Sequence, residues 1–196
     1  MLRVATIVPD TEAEGPGRRW ALWLQGCPIR CPGCCNPEMF DDQGGQSRSL
    51  DELTGEITAA ASRGVEGVTL LGGEPFSQAE GAARLARHAR ARGLTVMVFS
   101  GYTLDELRAS SEASGLLEAT DLLVDGPYDR ERPEPAPPEG RRWIGSTNQT
   151  MHFLTDAYRP DDPRMRAPNT IEIRLSRGSL SINGWPTAER LVRRRR

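Results

Sequence analysis

The four cysteines of this 196-residue chain all lie between positions 27 and 35. Disulfides that stabilise a domain usually close long loops, so such closely spaced cysteines favour metal or redox chemistry. Cys27, Cys31 and Cys34 have the spacing Cys-x3-Cys-x2-Cys, and Cys35 follows directly. A cubane iron–sulfur cluster has four irons that each take one external ligand. Three thiolates would therefore leave one iron open to a substrate, as catalytic zinc sites keep one open position.

Zinc and metal-free reactive thiols are the alternatives to a cluster. A structural zinc ion takes four ligands in a closed tetrahedron. Cys34 and Cys35 are adjacent, and adjacent residues rarely reach the same ion, while His88 and His152 are distant in sequence. The spacing therefore favours a cluster bound by three thiolates, and we expect His88 and His152 to be structural.

Three further polar loops follow apolar segments that are typical of buried strands. These loops contain Gly72-Gly73-Glu74-Pro75, Ser100-Gly101-Tyr102 and Asp125-Gly126. The predicted strands before them, and before the cysteines, are residues 20–25, 66–71, 94–99 and 120–126. Parallel strands end at the same edge of a sheet, where ligands bind in such folds. The four loops are therefore predicted to meet at one site.

Helices are predicted between these strands. Capping boxes mark their starts, with Ser49 and Glu52, Ser77 and Glu80, and Thr103 and Glu106. Strands alternating with helices predict an α/β fold with a parallel sheet. A closed eight-fold barrel usually takes about 250 residues, so we expect a partial, open (βα) barrel. An additional strand is predicted over 3–8.

The C-terminal part has a different pattern. Residues 130–142 are rich in proline and charge and predict an exposed loop, and residues 150–155 predict a strand. Residues 169–186 alternate around Arg177-Gly178 and predict a β-hairpin. We therefore expect a domain over 1–155 and an extension over 156–196.

Charge and hydropathy exclude several classes of protein. The formal net charge is -2, which argues against general nucleic-acid binding. No segment approaches the roughly 18 apolar residues of a membrane span, and the N-terminus lacks the pattern of a secretion signal. We therefore expect a cytoplasmic protein without a membrane or nucleic-acid partner.

The segment over 15–40, GPGRRWALWLQGCPIRCPGCCNPEMF, resembles the radical S-adenosylmethionine superfamily. Within it, the chain is most similar to the activating enzymes of glycyl radical enzymes, of the type that activates anaerobic ribonucleotide reductase. The similarity continues through residues 72–75, 99–107, 121–128 and 145–149. It covers about residues 3–155 and leaves the hairpin and the basic tail outside.

This resemblance implies the cofactors and their ligands. Cys27, Cys31 and Cys34 would bind a 4Fe–4S cluster, and S-adenosylmethionine would chelate the fourth iron. Glycines allow close backbone approach and a carboxylate can pair with an ammonium, which suits Gly72, Gly73 and Glu74 to the methionine amino group. The implied cofactor-binding residues are Gly33, Cys34, Cys35, Gly72, Gly73, Glu74, Ser100 and Asp125. Arg18 or Arg19 would support the loop or meet an anionic group.

The resemblance also implies a reaction. A reduced cluster would cleave S-adenosylmethionine to a 5′-deoxyadenosyl radical, which takes hydrogen from a glycine of a partner enzyme. The electron would come from an external donor such as flavodoxin or ferredoxin, and no catalytic residue is implied beyond the cluster and cofactor site. Two alternatives stay open: a radical enzyme that modifies a small molecule or peptide, and a non-catalytic iron–sulfur module for electron transfer or binding.

Overall fold

The computed structural model describes residues 1–176 and 179–184. The strands of this part are β1 (Leu2–Thr11), β2 (Arg19–Leu24), β3 (Gln46–Arg48), β4 (Gly67–Gly72), β5 (Thr95–Phe99), β6 (Leu122–Asp125), β7 (Thr150–Phe153), β8 (Ile171–Ser176) and β9 (Ser179–Gly184). The helices are α1 (Leu50–Ser62), α2 (Ala79–Arg90), α3 (Leu104–Ala109) and α4 (Ser114–Leu117). In this part of the chain, no helix has the length and apolar character needed to cross a membrane.

The main sheet has the strand order β3-β1-β2-β4-β5-β6-β7. Strands β2, β4, β5 and β6 are parallel to one another, whereas β3, β1 and β7 pair antiparallel. The prediction of an α/β fold with a parallel-rich sheet is confirmed, and the described strands do not close into a barrel. Strand β1 is longer than the predicted 3–8. It pairs antiparallel with β2 because no helix separates the two strands.

The core lies between the parallel strands and the helices. Leu22, Leu70 and Val98 of the central strands are fully buried, as are Leu53 and Ile57 of α1. Helix α2 buries mainly alanines, and these small side chains let it lie close to the sheet. The apolar runs before the predicted loops therefore form the buried strands that hold these loops in place.

Two of the three predicted capping boxes are confirmed. Ser49 caps α1 together with Glu52, and Thr103 caps α3 together with Glu106. The box at Ser77 and Glu80 is wrong, since a 3-10 turn over Pro75–Gln78 precedes α2, which begins at Ala79.

Gln78 occupies the N-cap position of α2 without capping it. Its side-chain oxygen accepts a hydrogen bond from Arg3 N at 2.8 Å. Its amide nitrogen donates to Arg3 O and Gln25 O, both at 3.0 Å. The side chain thus joins the start of α2 to β1 and to the end of β2, which takes it away from the helix terminus.

The C-terminal hairpin forms a separate two-stranded sheet of β8 and β9. Both predicted strands are present, while the predicted turn at 177–178 and the end of the segment at 185–186 lie outside the described residues. Glu12 N donates to Glu172 Oε1 at 2.7 Å, and Asn183 Nδ2 donates to Thr11 Oγ1 at 2.9 Å. The hairpin therefore lies against the end of β1 and the residues after it.

Candidate functional site

A cavity of about 530 Å³ opens at the carboxyl ends of the parallel strands. This volume lies within the range of small-molecule sites. Its wall includes Cys27, Cys31, Cys34, Cys35, Gly72, Gly73, Glu74 and Ser100. The predicted convergence of the cysteine loop with the loops after β4 and β5 is therefore present in the fold.

The cysteine loop leaves β2 and presents its thiols to this cavity. Cys27 N donates to Phe40 O at 3.3 Å, and Cys34 N donates to Cys31 O at 3.1 Å. All four thiols are free, and those of Cys27, Cys31 and Cys34 are half-buried. No three Cys, His, Asp or Glu side chains of the described residues are grouped to hold a single metal ion. A cubane cluster does not require such a group, because each thiolate binds its own iron.

The thiols differ in acidity. A hydrogen bond from the Cys35 thiol lowers the pKa of Cys34 to about 6, and Asn36 N also donates to the Cys34 sulfur at 3.4 Å. The same hydrogen bond raises the pKa of Cys35. Burial raises the pKa of Cys31. Thiolates are the form that binds metal, so the hydrogen bond from Cys35 favours the metal-binding form of Cys34.

Two adjacent glycines let the loop after β4 approach the cysteine loop. A Cβ on Gly72, whose φ is +105°, would lie 2.7 Å from the backbone of Leu24. A Cβ on Gly73 would lie 2.3 Å from Gly26 O. Gly73 N donates to Leu24 O at 2.7 Å, and Glu74 N donates to Gly26 O at 2.9 Å. Only glycine fits this contact, which brings the backbone of this loop beside Cys27.

The carboxylate of Glu74 is held by the protein itself. The residue is 1% exposed, and burial raises its pKa to about 7. Oε1 accepts hydrogen bonds from Phe76 N and Ser100 Oγ, both at 3.0 Å, and Oε2 accepts from Gly101 N at 2.9 Å. The sequence led us to expect this carboxylate to pair with a ligand ammonium. The structure shows that it lines the cavity and that its hydrogen bonds fix the turn after β5.

That turn also contacts the cysteine loop. A Cβ on Gly101 would lie 2.6 Å from the Ile29 side chain. Ser100 Oγ accepts a hydrogen bond from Tyr102 N at 3.1 Å while donating to Glu74. Through Glu74, Ser100 and Ile29, the loops after β2, β4 and β5 form one packed unit.

Two predicted cofactor contacts lie outside the wall of the cavity. Asp125 is buried and accepts a hydrogen bond from Leu104 N at 2.5 Å, and its Oδ2 lies 3.0 Å from His152 Nε2. Its position supports the start of α3, while the adjacent Gly126 lines the cavity. Gly33 is exposed and packs against the Arg130 side chain.

The two candidate arginines have different surroundings. Arg19 is fully buried and donates to Thr69 Oγ1 at 2.6 Å and Tyr158 OH at 3.2 Å, and desolvation lowers its pKa. Arg18 is partly exposed and forms an ion pair with Asp10. Arg19 also donates to Pro16 O at 3.2 Å and so stabilises the segment before β2. Neither arginine lines the cavity.

Several wall residues were not predicted. Glu14 is buried, and its pKa is raised to about 7 by burial. Gln149 accepts from Gly145 N at 3.0 Å and donates to Gly126 O at 2.9 Å, which explains why the segment over 145–149 matters. Trp23 and Phe40 also contribute to the wall, as do Ile182, Asn183 and Gly184. Among these signals, only the 145–149 segment could have been read from the sequence.

The comparisons with known proteins agree with this site. Residues 13–152 match the family model described as a 4Fe-4S single cluster domain. The α/β fold and the three-thiol cavity thus belong to a protein of the single-cluster iron–sulfur class, and the predicted 4Fe–4S cofactor is confirmed.

Named relatives identify the family. An anaerobic ribonucleoside-triphosphate reductase-activating protein of Salmonella typhimurium is 30% identical over 160 residues, covering 78% of this chain and 99% of that protein. The protein of the same name from Vibrio cholerae is 33% identical and covers 75% and 95%, and that of Enterobacteria phage T4 is 26% identical and covers 76% and 93%. The chain belongs to the family of anaerobic ribonucleoside-triphosphate reductase-activating proteins, as its resemblance predicted.

Proposed function

We propose that this chain is the radical S-adenosylmethionine enzyme that activates an anaerobic ribonucleotide reductase by generating its glycyl radical. The observation that carries this proposal is the convergence of the three-thiol loop, the Gly72–Glu74 loop and the Ser100–Gly101 turn on one cavity. A simple electron-transfer module would not need a ligand-sized cavity beside its cluster. The family of the chain supports the same conclusion.

The residues have distinct roles in this proposal. Cys27, Cys31 and Cys34 hold the 4Fe–4S cluster. When bound and reduced, the cluster would supply the single electron for cleavage of S-adenosylmethionine, the radical chemistry that abstracts hydrogen from the target glycine. Gly72 and Gly73 are half-buried in the cavity wall and would receive the methionine end of the cofactor, next to Cys27.

The other predicted cofactor-binding residues differ in whether they line the cavity. Ser100 and Cys35 line the cavity, where they would contact the cofactor directly. Glu74 also lines the cavity, and its hydrogen bonds hold the turn that carries Ser100. It would therefore position the cofactor both directly and by fixing that turn. Gly33 and Asp125 contribute from outside the wall, by shaping the cysteine loop and the start of α3.

The proposal extends to the architecture. Residues 1–155 form a partial, open barrel of the radical S-adenosylmethionine type, and residues 156–196 form an extension. The open side of such a barrel, where further strands are missing, would admit a protein loop that carries the target glycine. An external donor such as flavodoxin or ferredoxin supplies the electron, and the protein acts in the cytoplasm.

A second candidate is a radical enzyme that modifies a small molecule or peptide. It is favoured by Ile182–Gly184, which line the cavity although they lie beyond the family match at 13–152. These residues would shape the part of a substrate pocket that lies outside the matched region. The two candidates differ in whether a reductase is the hydrogen donor.

The test is 5′-deoxyadenosine formation under strictly anaerobic conditions. The protein is reconstituted with iron and sulfide and incubated with dithionite and S-adenosylmethionine, with and without an anaerobic ribonucleotide reductase. We expect 5′-deoxyadenosine, and in the presence of the reductase a glycyl radical signal by electron paramagnetic resonance. Replacing the target glycine of the reductase by alanine should remove the signal. Cofactor cleavage without any radical on the reductase would favour the second candidate.

A further inference from the structure

The C-terminal hairpin is oriented with its polar face towards the protein and its apolar face towards solvent. Ile173 pairs with Ile182, and Leu175 pairs with Leu180, so these four side chains share one face. Ile173 is 59% exposed, Leu175 is 82% exposed and Leu180 is 59% exposed. We call Ile171, Ile173, Leu175, Leu180 and Ile182 the apolar hairpin face.

Specific polar contacts fix this orientation. On the opposite face, Glu172 accepts a hydrogen bond from Glu12 N at 2.7 Å, and Arg174 donates to Asp10 O. Asn183 donates to Thr11 at 2.9 Å. Side chains alternate strictly between the two faces of a hairpin, so binding the polar face to the protein necessarily turns the apolar face outwards.

A buried contact anchors the end of the hairpin at the cavity. Gly184 N donates to Glu14 Oε1 at 2.9 Å, and Glu14 O accepts from Thr69 Oγ1 of β4 at 2.7 Å. Both Glu14 and Gly184 line the cavity, together with Ile182. Because Ile182 belongs to the apolar hairpin face and also to the cavity wall, one end of that face lies at the site.

We propose that the apolar hairpin face is the docking surface for the anaerobic ribonucleotide reductase, which it contacts through an apolar surface beside the segment that carries the target glycine. This inference rests on the proposed function. A glycine that enters the cavity must bring its surrounding protein surface against the residues around the cavity, and the apolar hairpin face begins there, at Ile182. Its side chains carry no charge, so the complementary surface of the reductase is apolar.

The exposure of these side chains supports a binding role. Leucine and isoleucine side chains paired across two strands form a contiguous apolar surface, and such surfaces on monomers usually mark interaction sites. The family match ends at residue 152, so the hairpin lies outside the matched region, although its Ile182, Asn183 and Gly184 line the cavity. An added element at the mouth is suited to selecting one partner.

The test replaces the central leucine pair by a pair of opposite charges. In the double variant Leu175→Glu and Leu180→Arg, the two side chains remain cross-strand partners that can form an ion pair, so the hairpin is preserved. The matched control is Ala109→Glu with Ser111→Arg, which adds the same charges at exposed positions at and after the end of α3. Binding of each reconstituted protein to the reductase is measured by anaerobic titration.

We expect the substitutions in the hairpin variant to raise its dissociation constant for the reductase by at least about tenfold and to slow glycyl radical formation in proportion. Its cluster content and its 5′-deoxyadenosine formation without the reductase should stay within about twofold of the unmodified protein. The control should bind normally.

Unchanged binding by the hairpin variant would overturn the inference. If binding is unchanged but the variant loses a dimer in gel filtration, the apolar hairpin face mediates self-association. If binding is unchanged but the melting temperature falls, the face contacts residues of the same chain. If the unmodified protein neither binds nor activates the reductase, the proposed function fails together with this inference. That outcome is distinct from failure of the inference alone, in which the unmodified protein and the variant activate the reductase equally.

Discussion

Two loops meet at the cavity, and they are stabilised in different ways. The loop over 72–75 is fixed by the protein, since Gly72 and Gly73 pack against the backbone after β2 and the Glu74 carboxylate accepts three hydrogen bonds. The cysteine loop over 27–36 has free thiols, half-buried or exposed, that face the cavity. The loop over 72–75 is held in place by contacts within the protein, whereas the cysteine loop presents thiols that can bind a cluster.

The difference separates folding from function. Substitutions in the loop over 72–75 should affect the stability of the protein even before a cluster is bound. Substitutions of the cluster ligands should affect the cofactor and leave the apoprotein folded. Metal binding and folding are coupled in many small metal sites, but here the parallel sheet already supports the loop.

The largest expected effect is that of Cys31→Ala. Removing one of three ligands should abolish 4Fe–4S assembly and 5′-deoxyadenosine formation, because each cysteine serves a different iron. The free energy of unfolding of the apoprotein should change by only about 1 kcal/mol, since the thiol is half-buried and forms no disulfide. Cluster content is measured by visible absorption and iron analysis, and stability by urea denaturation.

Serine at the same position is the control, because it keeps the size of the side chain and replaces only the soft ligand. Cys31→Ser should lose the cluster as Cys31→Ala does and unfold like the unmodified apoprotein. A large loss of apoprotein stability in either variant would show that the cysteine loop is itself part of the folded core.

Glu74→Ala should have the second-largest effect, on stability. It leaves Gly101 N, Phe76 N and the Ser100 hydroxyl without their buried acceptor, and orphaned donors of this kind cost about 4 kcal/mol together. Glu38→Ala is the matched control, because Glu38 is an exposed carboxylate on the same cavity wall. Urea denaturation of both apoproteins at about pH 6 checks the difference, and equal stabilities would contradict the role of Glu74 in holding the turn.

The cluster ligands and the parallel strands could be predicted from the sequence, but the hydrogen bonds of Glu74 and Glu14 could not. The spacing of Cys27, Cys31 and Cys34 and the apolar runs before each loop indicate the cluster and the parallel strands directly. The role of Glu74 depends on the turn after β5, and that of Glu14 on a hairpin about 170 residues away. Local patterns contain no information about such long-range partners. The motif at 72–75 therefore indicated a ligand site, but not the hydrogen bonds that fix it.

The pH dependence of stability tests the contrast between the loop over 72–75 and the cysteine loop further. Like Glu74, Glu14 is a buried carboxyl in the cavity wall. Burial raises its pKa from 4.5 to about 7, so the folded protein holds the proton more tightly than the unfolded chain. The stabilisation from this group is complete below about pH 4.5 and is lost as the pH rises through 7, by on the order of 3 kcal/mol. Glu14→Gln should remove this part of the pH dependence and be more stable than the unmodified protein at about pH 8.

The measurement is the free energy of unfolding at about pH 5 and about pH 8 for the unmodified apoprotein, Glu14→Gln and Glu38→Gln. Glu38 is exposed, so its substitution should leave the pH dependence as it is. The same slope in all three proteins would mean that Glu14 ionises in the folded state as easily as in the unfolded chain.

Cys35→Ala should have the smallest effect, and it separates the ligands of the cysteine loop from their neighbour. Cys35 lies on the cavity wall and forms a hydrogen bond with Cys34, but a fourth thiolate ligand would occupy the iron that the cofactor needs. Cluster content and 5′-deoxyadenosine formation should therefore stay within about twofold of the unmodified protein, in contrast to the complete loss expected for Cys34→Ala. Loss of the cluster in Cys35→Ala together with its retention in Cys34→Ala would place the third ligand at Cys35. The cavity would then be bounded by a Cys-x3-Cys-x3-Cys loop.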